Sequence, residues 1–291
     1  MRNEEYMKNE FYIGYMPKAP KETASFVKKI IVVVGLGICI VALVLAWSQK
    51  QFSSAVFDYG INSTVEGYYF EKPVPHIAVP LGITSAGKEV FQNVLLVGFG
   101  KAGATNVMMK LHSRKGKSLV GAKIELTGFM IYGNGKALLQ VTEEDNSNMV
   151  FLAGATAPTQ VLDSTGVTTL NGEIVDPKCY FGVMKPGEGK AHRSCAIRCI
   201  DGGIPPVFHA SDKEEYFLIL DEKGRPVNEE VLSLVGDQIT ITGKEIVWND
   251  WKILKVNTTD LRTMASSKRI TEQLVAFESG MTKCVSGQSP E

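Results

Sequence analysis

The sequence has no excess of charge of either sign: 31 basic residues stand against 31 acidic ones. Binding phosphates along a polymer needs a basic surface, so this balance argues against nucleic acid as a main partner. The chain also has no Walker motif, no H-E-x-x-H and no G-x-S-x-G, the local signatures of nucleotide hydrolysis, zinc proteolysis and serine hydrolase chemistry. A hydrolase therefore has no nucleophile–base–acid motif behind it. Gly98-Phe-Gly100-Lys-Ala-Gly103 has the letters of G-x-G-x-x-G. A dinucleotide fingerprint, however, needs a strand–helix context and an acidic residue about 20 positions later. The residues after Gly103 read as β-rich, so the glycines read as a turn. Cysteine is scarce as well: the five are Cys39, Cys179, Cys195, Cys199 and Cys284.

Long apolar runs are limited to one. Ile30 to Trp47 holds 18 residues without a charge, near the lower length for a helix that crosses the hydrocarbon core. Trp47 suits the interface at one end, and Lys28 and Lys29 close the other. The 29-residue leader carries four further basic residues, whereas Lys50 and Lys72 are the next ones beyond the run. The positive-inside rule then expects residues 1–29 in the cytoplasm, residues 30–47 in the membrane and the rest outside, in the periplasm. A cleaved signal peptide is the competing reading, but Trp47-Ser-Gln-Lys50 makes a poor cleavage site. Cys39, inside the run, reads as a small lipid-compatible residue.

The outer region contains an internal repeat. Leu119–Val141 (LVGAKIELTGFMIYGNGKALLQV) aligns without a gap on Leu234–Val256 (LVGDQITITGKEIVWNDWKILKV). Each copy reads as a strand of alternating apolar residues, a bend at Thr127-Gly128 or Thr242-Gly243, a turn and a second strand. Gly133-Asn-Gly135 and Asn249-Asp250 supply the hairpin turns. Upstream, Val65–Phe70 before Pro73 matches Leu170–Val175 before Pro177. Further strands are expected at Asn93–Phe99 and Glu215–Asp221, each followed by a Lys-Gly turn. The expected fold is mainly β, with one transmembrane helix and two tandem OB-like barrels, at 60–153 and 165–260. Ala155–Thr169 is the expected linker, residues 261–291 a helical and then flexible tail, and a single β-sandwich of both halves the alternative. Tyr68, Tyr69, Phe70 and Phe99 read as core and edge residues rather than base-stacking platforms, because the charge balance and the outside location both oppose the latter.

Only the second copy carries the insertion from Asp176 to Pro206. Within it Ala191–Ile200 reads as a short helix stopped by Gly202-Gly203 and Pro205-Pro206. On that helix His192, Cys195 and Cys199 share one face, and Cys179 could approach them from the end of the preceding strand. Three thiols and an imidazole make a Cys3His donor set in type, although C-x15-C-x3-C fits no standard finger and no haem motif. In an oxidising compartment the competing reading is a disulfide of Cys179 with Cys195 or Cys199, and no cofactor. A metal ion or an iron–sulfur cluster on Cys179, His192, Cys195 and Cys199, or a reactive thiol beside His192, are the alternatives. His209 and His76 read as ordinary strand-edge and loop residues.

Gly172-Glu-Ile-Val-Asp176, Cys179, His192, Cys195-Ala196, Cys199 and Gly203-Ile-Pro205 together resemble a recurring bacterial family that carries G-x-[IV]-V-D-x-x-C, then H-x-x-C-A-x-x-C, then Gly-x-Pro. The resemblance spans about residues 172–260. It implies an OB-like extracytoplasmic domain and brings no catalytic role with it. The combined expectation is a non-catalytic, membrane-anchored accessory or binding protein that docks on a membrane or periplasmic redox complex. The alternative is a metal-binding or thiol redox protein built on the cysteine cluster.

Overall fold

The computed structural model describes residues 19–49, 55–85, 87–152, 157–158, 162–268 and 271. The chain divides into two compact units, Met1–Ser53 and Ser54–Glu291.

The first unit contains α1, Lys21–Gln49. Its apolar part, Thr23–Ser48, is 26 residues long, and its most apolar stretch is not buried within the protein. At about 1.5 Å per residue it reaches ~39 Å, more than the ~30 Å of a bilayer core. It is a helix long and apolar enough to cross a membrane, and it begins well before Ile30.

The described residues of the second unit form ten strands in two closed barrels. In the first barrel, β1 (Val56–Phe70), β2 (His76–Ile83), β3 (Glu89–Val97), β4 (Lys123–Gly133) and β5 (Lys136–Val141) run in the order β1-β2-β3-β5-β4. Pairing of β1 with β4 closes it, and β3 runs parallel to β5. The second consists of β6 (Asp163–Val175), β7 (Val207–Ala210), β8 (Glu215–Asp221), β9 (Gln238–Trp248) and β10 (Trp251–Val256). Its strand order is the same, with β8 parallel to β10. Two closed barrels exclude the single sandwich. The hairpins β4–β5 and β9–β10 match residue for residue in length. Their turns use positive φ at Asn134 (50°), Gly135 (74°) and Asn249 (53°), as tight hairpins require. Gly128 and Gly243 sit where neighbouring backbone comes so near that a Cβ would lie 2.1 Å from the Gln140 carbonyl oxygen and 2.6 Å from that of Lys255.

Three boundaries differ from the expectations raised by the sequence. Residues 163–169, expected in the linker, form the start of β6 and pair with β9. Their threonines suit a strand, and Thr169 hydrogen-bonds Thr242 across it at 2.9 Å. A helix, α2 (Thr105–Lys115), intervenes between β3 and β4 where only a turn was expected. Met108 and Leu111 alone are buried on it, too few to give a visible periodicity, although basic residues in its last turn and Gly116 at φ 62° mark its end. A four-residue helix at Asn228–Val231 takes the same place before β9. Beyond β10, residues 258–268 are helical, and Leu261 and Ala265 are buried in the second barrel's core. Ile270, Leu274, Val275, Phe277 and Cys284 lie outside the described residues.

Each barrel has its own apolar filling, and a third core lies between them. Leu95, Val97, Ile131 and Leu138 of the first barrel meet Phe181, Leu218, Trp248 and Trp251 there. Asn93 fastens the contact. Its backbone N–H donates to Asp250 Oδ1 (2.7 Å), its amide to the Trp248 carbonyl (3.2 Å), and its own carbonyl accepts from the Trp251 indole (3.0 Å). His76 is no loop residue: it opens β2, is fully buried, and stands edge-on to Trp248 at 4.6 Å. Burial lowers its pKa to about 4, opposed by its hydrogen bond to the Val74 carbonyl.

An imidazole held neutral in the fold but free to charge when unfolded makes the unfolded state bind more protons between these limits. Stability of the whole protein should therefore fall as pH drops from about 6.5 to about 4, by up to about 3 kcal/mol from this residue. Urea melts in detergent across that range should show the slope, and His76→Phe should flatten it.

Candidate metal centre

The connection between β1 and β2 is five residues, 71–75, whereas that between β6 and β7 runs from Asp176 to Pro206. Asp176 starts it. Its Oδ1 accepts the backbone N–H groups of Lys178 (3.0 Å) and Cys179 (3.2 Å), and its carbonyl accepts that of Tyr180. These bonds wind the chain into a π-helical turn, Cys179–Val183, so Cys179 sits on a turn rather than on the strand end. Tyr180 and Phe181 then fill the core between the barrels.

Helix α3, Gly189–Asp201, comes next. Glu173 accepts the Gly189 N–H at its start (2.5 Å), and Arg193 moors it to Asp237 and the Ser233 carbonyl. Ala196 and Ile200 face the second barrel's core. The turn of the helix leaves His192, Cys195 and Cys199 on the side toward Cys179. Cys179 Sγ lies 4.0 Å from Cys195 Sγ, and donor atoms of Cys179, His192 and Cys195 all lie within 4.8 Å of one another. Asp176, Cys179 and Cys199 form a second set within the same limit. All these thiols are free; Cys179 and Cys199 are buried and Cys195 is half-buried. Cys39 is also a free thiol, on α1.

Two buried atoms in this cluster have no hydrogen-bond partner: Asp176 Oδ2 and His192 Nε2. They stand 3.7 Å apart, and both side chains are almost wholly excluded from solvent. Leaving such groups without a hydrogen bond costs about 1–3 kcal/mol each, a cost that their contact as an ion pair offsets when the imidazole is protonated.

The electrostatics divide the thiols. Its hydrogen bond with Cys199, burial and the Asp176 carboxylate push the Cys179 thiol up. The same hydrogen bond lowers Cys199, burial opposing and the nearby Lys101 ammonium assisting. The two shifts run in opposite directions, and Cys179 is the thiol that holds its proton more firmly.

Lys101 comes from the other barrel, and no sequence motif singled it out. Its Nζ donates to Cys195 Sγ at 2.8 Å and lies 3.9 Å from Cys199 Sγ. The hydrogen bond to Cys195 raises the Lys101 pKa against slight desolvation. Lys178 reaches the opposite way. Buried, and with its pKa lowered chiefly by that burial, it donates to the carbonyls of Gly98 (2.8 Å) and Gly100 (2.7 Å). The glycines of 98–103 explain how the two segments come so close. Gly103 N–H donates to the Gly202 carbonyl (2.9 Å), and a Cβ on Gly202 would lie 2.0 Å from the Lys101 carbonyl oxygen. A helix, α2, does follow these glycines, so the β-rich reading of the residues after Gly103 does not hold; the spacing of the glycines instead serves the backbone packing against Gly202 and Lys178. The only signal for Lys101 was its place among those glycines, and for Lys178 its place beside Cys179.

His209 lies in a separate network. It is stacked on Tyr216, hydrogen-bonded with Tyr180 Oη (3.2 Å), and faces Glu188 and Glu214. Of the aromatics weighed as stacking platforms, Tyr69 is buried in the first barrel and Phe70 stacks on His76, while Phe99 is exposed.

Comparison of the chain with protein-family models, with curated proteins and with solved structures returns no match.

Gly202→Ala should force the 98–103 loop off α3. Overpacking of this kind destabilises by about 1–3 kcal/mol. Denaturant melts should show the loss, and Gly103→Ala should match it because its Cβ would meet the Gly203 carbonyl oxygen at 2.2 Å.

Proposed function

We propose that this chain is a membrane-anchored, extracytoplasmic binding protein whose second barrel holds one thiophilic metal ion. In this reading α1 fixes the chain in the cytoplasmic membrane with its N-terminus inside, as its flanking lysines favour. The two barrels are tandem copies of an OB-type unit. Supporting this are the shared strand order, the parallel pairing of third and fifth strands, and a helix before the fourth strand in each. The resemblance of residues 172–206 to an extracytoplasmic family agrees with the outside placement.

The observation that carries the metal reading is the convergence of donor atoms of Cys179, His192 and Cys195 within 4.8 Å of one another, with thiols 4.0 Å apart and a buried His192 Nε2 that has no hydrogen bond. Bonds of about 2.3 Å to sulfur in a tetrahedron put two sulfurs about 3.8 Å apart, close to that spacing. Donors so near each other enclose a single ion rather than a cluster. Cys179, His192 and Cys195 are the ligands, and Cys199 and Asp176 flank Cys179, with Asp176 as the outer carboxylate facing His192. Zinc(II) and copper(I) both suit such donors. The protein is non-catalytic and serves a membrane or periplasmic redox complex as an accessory subunit.

A second reading rests on the Lys101 contact. An ammonium against a half-buried sulfur is a setting for a reactive thiol, and Cys179 is close enough to Cys195 to form a disulfide after a small movement.

Elemental analysis of the full chain purified in detergent should give about one metal ion per chain, and Asp176→Asn should weaken its binding about 10–100-fold. Finding no metal, together with a Cys179 disulfide by mass spectrometry, would overturn the metal reading and select the thiol one. Affinity purification that returns this chain alone would remove the accessory role.

A further inference from the structure

The metal reading leaves open whether the ion is a permanent brace or an exchangeable cargo, and the position of Lys101 bears on that choice. A structural zinc site is closed by four protein ligands, and small domains built on one unfold without it. Here the two barrels have their own cores and a shared third one, made of Trp248, Trp251, Phe181 and their neighbours. The fold around the thiols thus does not hang on an ion. The donor set is touched on one side by the tip of an exposed side chain. Lys101 Nζ touches Cys195 Sγ at 2.8 Å, the Cys195 carbonyl at 3.5 Å and Cys199 Sγ at 3.9 Å.

We propose that the centre is a carrier site for an exchangeable thiophilic ion, in which the Lys101 ammonium takes the cation's place against the Cys195 sulfur whenever the ion is absent. The inference rests on the metal reading. The ammonium's hydrogen bond and an incoming ion compete for the electron pairs of the Cys195 sulfur, so loading displaces Lys101 from that contact and unloading readmits it. Little else has to move. The backbone that carries Lys101 is pinned by Lys178 at the Gly98 and Gly100 carbonyls and by the Gly103–Gly202 hydrogen bond. Cys195 is also the half-buried thiol of the three, so it is the one that an incoming or departing ligand reaches first. Because the ammonium competes with the ion, the coupling is reciprocal: whatever factor the ion loses to Lys101, Lys101 loses to the ion.

The test uses the full chain in detergent, stripped with a chelator and titrated with zinc(II) against a chromophoric competitor. Lys101→Met should bind zinc about tenfold more tightly than wild type and release it more slowly, within the usual range of such couplings. Lys101→Arg should stay near wild type. In the wild-type protein an amine-acylating reagent should label Lys101 faster after zinc is added. Equal or weaker binding by Lys101→Met and Lys101→Gln, or unchanged labelling, overturns the carrier proposal while leaving a structural ion. If neither wild type nor Lys101→Met binds zinc or copper(I), the metal reading and this inference fall together.

Discussion

The site depends on one contact between backbones. Where the 98–103 loop of the first barrel meets the end of α3 in the insertion of the second, Gly103 donates to the Gly202 carbonyl, and no side chain fits between them. That approach lets Lys101 reach thiols borne by the other barrel, and lets Lys178 reach back to the carbonyls of the loop. Residues with a Cβ at these positions would hold the segments apart, and an ammonium displaced by a few ångströms gives up a charge-assisted hydrogen bond. The chemistry of the cluster is thus shared between two barrels, although all of its thiols lie in one.

Around that contact the structure arranges burial so that unlike environments lie side by side. The interaction of Cys179 with Cys199 lowers the pKa of Cys199, with Lys101 assisting, and raises that of Cys179, with burial and Asp176 assisting, so two thiols of the same insertion are shifted in opposite directions. Asp176 does two jobs with its two oxygens. Oδ1 winds the π-helical turn that presents Cys179, and Oδ2 faces His192. The turn also drives Phe181 and Tyr180 between the barrels, so the segment that makes the donor set makes part of the shared core as well.

Much of this was legible in the sequence. The gapless match of Leu119–Val141 with Leu234–Val256 located two hairpins of equal length, because Thr-Gly bends and Asn-containing turns are local signals. The i, i+3, i+7 spacing of His192, Cys195 and Cys199 gave the helix face in the same way. What escaped is non-local or weakly patterned. Helix α2 buries only two residues, too few for a periodic signal. His76 looked like a loop histidine because the tryptophan that covers it lies in the other barrel. Lys101 belongs to a different barrel from the cysteines, and no spacing rule connects positions so far apart in the chain. Asp176 was read as part of a motif, and only folding shows which of its oxygens lacks a partner.

The core between the barrels has a consequence for how this protein can be divided. Sequence repeats invite the view of beads on a string, each separable at its linker. Here Leu95, Ile131 and Leu138 on one bead and Trp248 and Trp251 on the other are wrapped by each other and by the insertion. Cutting at residues 153–162 would strip both halves of that cover and leave tryptophan-bearing surfaces exposed to water. The shared core therefore ties the two barrels into one unit, and any shuffling of such barrels between chains would have to carry both together.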